Sequence, residues 1–227
     1  MSRATRQAPR LVAGLLVAGL LSACAPFWAA VREQEREHAA KNVEMRVARG
    51  DCRGAMPSLE RAQATAELGD YGASSTLTKA QCLERLGERE QSRAHYRLLR
   101  DFYPDFRPKR IANEFGENDA SLELALGQAP SLGGLHALEL GKPRYSPSAD
   151  RSRLGGPVLV RFWVAEDQSI RDIRVLDMPH PLLASWAIEA VAIAKLEKAA
   201  VVDLPRAVVT RFVFQTKAER LGATEPD

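Results

Sequence analysis

The spacing of apolar and polar positions divides the chain into distinct regimes. Leu11 to Val31 is uncharged throughout, Val31 to Pro104 carries helical periodicity, and the stretch from Lys142 onward combines strand alternation with one almost wholly apolar helix. In the second regime, faces of small apolar residues are interrupted at Gly50-Asp51, Gly69-Asp70 and Gly87. Such breaks separate short antiparallel helices, and four helices fit the stretch. Residues 105–141 are punctuated by Arg107-Pro108-Lys109-Arg110, Asn113, Gly116, Ala129-Pro130 and Gly133-Gly134, which predicts a connector with a short helix from Ala120 to Leu126. Beyond it, Val158, Val160, Phe162 and Val164 alternate with Leu159, Arg161 and Trp163, a strand with one apolar face. Ile173 and Val175 continue that period after a turn at Glu166-Asp167-Gln168-Ser169. Leu182 to Leu196 is nearly all apolar except for Ser185, Glu189 and Lys195, so it predicts a helix with a narrow polar stripe that must be mostly covered. Val208, Thr210, Phe212 and Phe214 mark a final strand. The expected fold class is α+β: N-terminal antiparallel α-hairpins, then a small domain with a three-stranded antiparallel sheet and one packed helix.

The N-terminal regime adds a membrane. Arg3, Arg6 and Arg10 form a basic head without acidic residues, an apolar run follows, and Leu21-Ser22-Ala23-Cys24 closes it. This layout resembles a bacterial lipobox. The resemblance implies removal of residues 1–23 as a lipoprotein signal peptide and acylation of Cys24, with palmitate-type chains holding residues 24–30 as a lipidated tether. Each buried methylene contributes roughly 0.8 kcal/mol, so several chains anchor stably. Ala25 after the cysteine implies the outer membrane. Two other readings stay open. The uncharged run, at about 1.5 Å per residue, is long enough to cross a core of about 30 Å as an uncleaved anchor, or it is a plain cleaved signal. All three put the remainder in the periplasm or outside the cell.

Charge and cysteine count narrow the partners. The chain has 32 Lys+Arg against 29 Asp+Glu, and without the three arginines of the head the two balance. A nucleic-acid binder needs excess cationic charge, so nucleic acid is excluded as a partner. With Cys24 acylated, Cys52 and Cys82 remain as an even pair, too far apart for a CxxC motif; they are either a structural disulfide or two unpaired core residues. His38, His95, His136 and His180 are scattered, with no HExxH and no GxSxG elsewhere. The pattern predicts no enzyme, no metal and no cofactor.

In residues 31–104 the spacing of Ala80, Leu83, Gly87, Tyr96, Leu99 and Pro104 resembles a tetratricopeptide repeat, and Gly50, Ala55, Leu59 and Ala62 repeat part of it earlier. Ser92 stands where that family prefers alanine. Stacked that way, the hairpins bring Cys52 beside Cys82, a feasible bridge if the Cα atoms fall within about 7 Å. Two repeats are fewer than the three or so that a solenoid needs, so the helical layer is expected to pack on its neighbour or on a partner. Its surface either binds peptides or merely spaces the next domain from the membrane.

From Lys142 to Gln215, the succession of Tyr145-Ser146-Pro147, Gly156 to Phe162, the turn at Asp167, Ile173 to Leu176, Ala187 to Val191 and Val208 to Phe214 resembles the TonB C-terminal domain. That family often has Asp-Gly where this chain has Asp167-Gln168. The resemblance implies a 142–216 domain that binds a short segment of an outer-membrane or periplasmic protein by adding a strand to its sheet, leaving 217–227 as a flexible tail. The candidate partner-binding residues are Tyr145, Ser146 and Pro147, and Val208, Thr210, Arg211, Phe212 and Phe214 of the last strand; an ordinary protected edge is the alternative. The expected function is an envelope-anchored periplasmic adaptor. The other reading is a TonB-type energy transducer with an uncleaved anchor.

Overall fold

The computed structural model describes residues 8–106, 138–196 and 204–222, with side chains from residue 27 onward. The helix expected between Ala120 and Leu126, most of the connector, and the side chain of Cys24 lie outside the described residues. Four helices come first: α1 (Ala8–Ala48), α2 (Cys52–Gln63), α3 (Asp70–Arg85) and α4 (Arg89–Phe102). Residues 24–30, expected as a tether, are helical within α1. Gly50 and Gly87 make the two tight hairpin turns, with φ of 76° and 82°, a region where a Cβ is strained. Asp51 caps α2 through Gly54 N at 2.9 Å.

Small residues set the helix spacing. Ala55, Ala62, Ala80 and Ala94 are all buried, so neighbouring backbones approach closely. Ser92 is accommodated because its hydroxyl donates to the Ala80 carbonyl at 2.9 Å. Cys52, at the start of α2, and Cys82, near the end of α3, are joined as a disulfide with Cα atoms 5.1 Å apart.

The C-terminal region contains β1 (Leu138–Glu139), α5 (Pro147–Arg151), β2 (Gly156–Val164), β3 (Ile170–Asp177), α6 (Pro181–Ala192), β4 (Lys195–Leu196), β5 (Arg206–Phe214) and α7 (Lys217–Gly222). The main sheet is antiparallel with order β3-β2-β5, and β1 pairs with β4 in a separate two-stranded ladder. Val158, Val160, Phe162 and Val164 are all buried under α6, as their alternation requires.

Two boundaries differ from expectation. α6 stops at Ala192 instead of running to Leu196, because Lys195 and Leu196 pair with Glu139 and Leu138. The tail expected to be flexible opens with α7, held by a reciprocal cap. Glu219 N donates to Thr216 Oγ1 at 3.2 Å, and Thr216 N donates to Glu219 Oε2 at 2.7 Å, the capping-box arrangement.

The helical layer does pack on its neighbour. Ala94 and Leu98 of α4 belong to the same apolar cluster as β2, β3 and α6, while Tyr96 and Leu99 turn toward α3. One helix therefore serves two cores.

Candidate partner-binding edge and the polar seam behind it

The sheet has two outer edges, and they are treated differently. Along β3, α4 reaches the outward backbone: Arg97 Nη1 donates to Ile173 O at 3.3 Å, and Asp172 N donates to Glu90 Oε2 at 3.3 Å. Arg97 also pairs with Asp172 at 2.8 Å, and Arg174 with Asp101 at 2.9 Å. This edge is closed by side chains. On the other side, β5 is bonded to β2 over its full length, from Gly156↔Phe214 to Val164↔Arg206, and its outer side has no strand beside it among the described residues. An open edge presents unpaired N–H and C=O groups to any extended chain that approaches.

The expected binding residues divide by face. Phe212 and Phe214 are buried and point into the core, and Val208 packs against it; these side chains hold the strand in place and offer an incoming segment only backbone. Arg211 is exposed on the opposite face. Tyr145 is drawn inward, its hydroxyl donating to Leu154 O at 2.6 Å and its ring 6.0 Å from Trp186 and 6.3 Å from Phe214. Ser146 caps α5 through Ala149 N, and Pro147 is its first residue. That segment is occupied by intramolecular contacts.

Behind the sheet, α6 meets α3 and α4 along a polar seam. Its stripe, Ser185 and Glu189, receives Lys79 of α3, a lysine only 2 % exposed. Lys79 Nζ donates to Glu189 Oε1 at 2.8 Å and to Ser185 Oγ. His95 of α4, also buried, contacts Ser185 Oγ through Nε2 at 3.0 Å and Gln91 O through Nδ1 at 2.7 Å. A carbonyl only accepts, so Nδ1 carries the proton and Nε2 accepts from the serine. The row thus runs in one direction: lysine donates to serine, serine to histidine, histidine to backbone. Burial, with Lys79 adding to it, drives the His95 pKa down to about 3. Burial alone would raise the Glu189 carboxyl, but Lys79 and Arg144 outweigh it and hold it below the usual carboxylate range. Arg144 completes the seam, bridging Glu189 at 2.6 Å and Glu60 of α2 at 3.1 Å.

A serine touching both a lysine and an imidazole has the parts of an activated nucleophile. Ser185 is nonetheless sealed in the core at 1 % exposure, so no substrate carbonyl reaches it, and the row is a docking contact. His180, buried in the same region, is structural too: Nδ1 accepts from Leu182 N at 3.1 Å and Nε2 donates to Thr65 O at 2.8 Å. It ties the α2–α3 turn to the start of α6. Sequence reasoning found the stripe on α6 but missed Lys79 and His95, its partners. Among the described residues no group of three or more His, Cys, Asp or Glu is placed to hold a metal ion.

The fold is a small three-stranded sheet with one packed helix, and one of its edges has no strand beside it among the described residues. Residues 141–216 match the family model of the Gram-negative bacterial TonB protein C-terminal. That segment is a TonB C-terminal-like domain, preceded by helices. A domain of this family points to an envelope protein that works through a protein partner, in periplasmic interaction or in energy transduction. No curated protein and no solved structure matches the chain. Among the residues whose side chains are described, from residue 27 onward, no helix is long and apolar enough to cross a membrane.

Proposed function

We propose that this is an envelope-anchored periplasmic adaptor, acylated at Cys24 in the outer membrane, in which tetratricopeptide-like hairpins brace a TonB-type module that binds an extended partner segment along β5. The observation that carries this reading is the asymmetry of the sheet: α4 packs against the β3 edge, and among the described residues no strand lies beside the β5 edge. Strand addition needs a free ladder of backbone donors and acceptors, with side chains supplying selectivity. The test is hydrogen exchange on the full chain in detergent, with and without fractions of the cell envelope. Binding of this kind slows exchange across residues 206–214 and leaves the β3 amides unchanged. An exchange pattern that no fraction alters would count against the adaptor.

One observation supports the second reading, the energy transducer: the uncharged run from Leu11 to Val31 is long enough to serve as an uncleaved anchor. The mass of the membrane-extracted protein separates the two. A chain beginning at Cys24 with added acyl mass, lost in a Cys24→Ala variant, supports the adaptor, whereas a chain retaining Met1 to Ala23 supports the transducer.

A further inference from the structure

The face of the sheet opposite α6 carries a charge pattern that specifies what kind of strand fits the open edge. This inference rests on the strand-addition reading above. On that face β5 presents Val209, Arg211 and Val213, with Arg211 exposed and Val213 57 % exposed. The register sets Arg211 opposite Leu159 and Val209 opposite Arg161 on β2, and Arg161 in turn faces Arg174 on β3. Three guanidinium groups therefore share one face.

Their compensation is incomplete. Arg174 has Asp101 at 2.9 Å. Among the described residues no ion-pair partner stands against Arg161 or Arg211, although Arg161 is only 8 % exposed. Asp177 occupies the same register row as Arg211, but beyond Leu159, two strand spacings or about 9.5 Å away. Like charges directly opposite on neighbouring strands are unfavourable, so this face is left with positive potential that a negative side chain arriving beside β5 would relieve.

We propose that the β5 edge selects an extended partner segment of the pattern apolar-x-acidic-x-apolar. A strand laid against β5 places every second side chain on this face, directly across from Val209, Arg211 and Val213. The acidic residue meets Arg211, with Arg161 on the diagonal, one strand further in and in the Val209 row, and the flanking apolar residues cover the two valines. Because the pattern is symmetric, it holds for a parallel or an antiparallel partner. An exposed cross-strand charge pair is worth about a two- to fivefold change in affinity.

The experiment is hydrogen exchange of the full chain in detergent, titrated to millimolar concentration with synthetic peptides. These carry Val, Glu and Val on alternate positions in a threonine background, or Gln or Lys in place of Glu. The Glu peptide should protect residues 206–214 at about two- to fivefold lower concentration than the Gln peptide, with the Lys peptide weakest and the gap narrowing as salt is added. An Arg211→Glu variant should invert the order, and Arg211→Gln should flatten it. Equal protection by all three peptides on the unaltered protein would overturn the selection for an acidic residue while leaving strand addition intact. Protection by none of them at millimolar concentration would overturn both.

Discussion

Acidification should loosen the seam between the helices and the sheet through one residue, His95. Its imidazole is neutral in the fold, with a pKa of about 3 against 6.5 for the free group, so the unfolded chain takes up a proton that the folded chain refuses. Stability is fully present above pH 6.5, falls as the pH drops below it, and levels off near 3, where the folded protein is protonated too. Near pH 4 the loss amounts to about 3 kcal/mol, since each unit of separation contributes about 1.4 kcal/mol. The physical origin is specific: a protonated Nε2 becomes a second donor facing Ser185 Oγ, beside Lys79 Nζ. Urea unfolding followed by the fluorescence of Trp163 and Trp186 measures this at a series of pH values. The control is His95→Gln, which cannot titrate. His180 and Glu189 are also shifted downward and lose stability in the same direction, but they do so in both proteins. The difference between the two curves therefore isolates His95: the variant is less stable at neutral pH and flatter by about 3 kcal/mol near pH 4. Parallel curves would refute the assignment of the buried neutral imidazole.

Removing the seam's cation should be costly. Lys79→Met is expected to destabilise by about 2 to 4 kcal/mol, because Glu189 keeps only Arg144, and a double-mutant cycle with Glu189→Gln should return a coupling above about 1 kcal/mol in chemical denaturation. The Cys52–Cys82 bridge spans a sequence separation of 30. Its replacement by two serines should cost roughly 3 to 4 kcal/mol of stability, and a reductant should lower the melting temperature of the unaltered chain while leaving the variant's unchanged. Gln168 sits in the β2–β3 turn at φ 65°, a conformation that glycine adopts without a Cβ penalty. Gln168→Gly should therefore stabilise by about 0.5 kcal/mol once backbone entropy is subtracted; a lower urea midpoint would contradict the strain.

The parts of this fold that were legible in the sequence are those determined by local periodicity. The four alternate apolar residues of β2 all reached the core, and the hairpin glycines turned the chain where expected. Ser185 and Glu189 on an otherwise apolar helix announced a polar contact, but nothing nearby in sequence named its partners. Lys79 reads locally as a solvated lysine on a helix with little amphipathic contrast, and only tertiary packing buries it. The end of α6 is hidden from the local pattern for a similar reason, since Lys195 and Leu196 leave the helix to pair with a strand more than fifty residues earlier. The helix after β5 is different: Thr216 and Glu219 have capping-box spacing, a signal carried by the local sequence. Among the site residues, the alternation along β5 identified the strand. Only the packing showed that Phe212 and Phe214 face inward, leaving Arg211 exposed on the opposite face.

The placement of Ala94 and Leu98 in the sheet's apolar cluster bears on how such a chain comes to exist. A gene fragment encoding residues 141–216 alone would yield a module with two holes in its packing, a bared β3 edge, and a serine and a glutamate facing water where Lys79 and His95 belong. Recombination that exchanged the upstream helices for others would fail unless the incoming segment supplied both the apolar pair and a buried cation. The helices and the module are thus expected to be inherited together, and to change by paired substitutions across the seam rather than by shuffling.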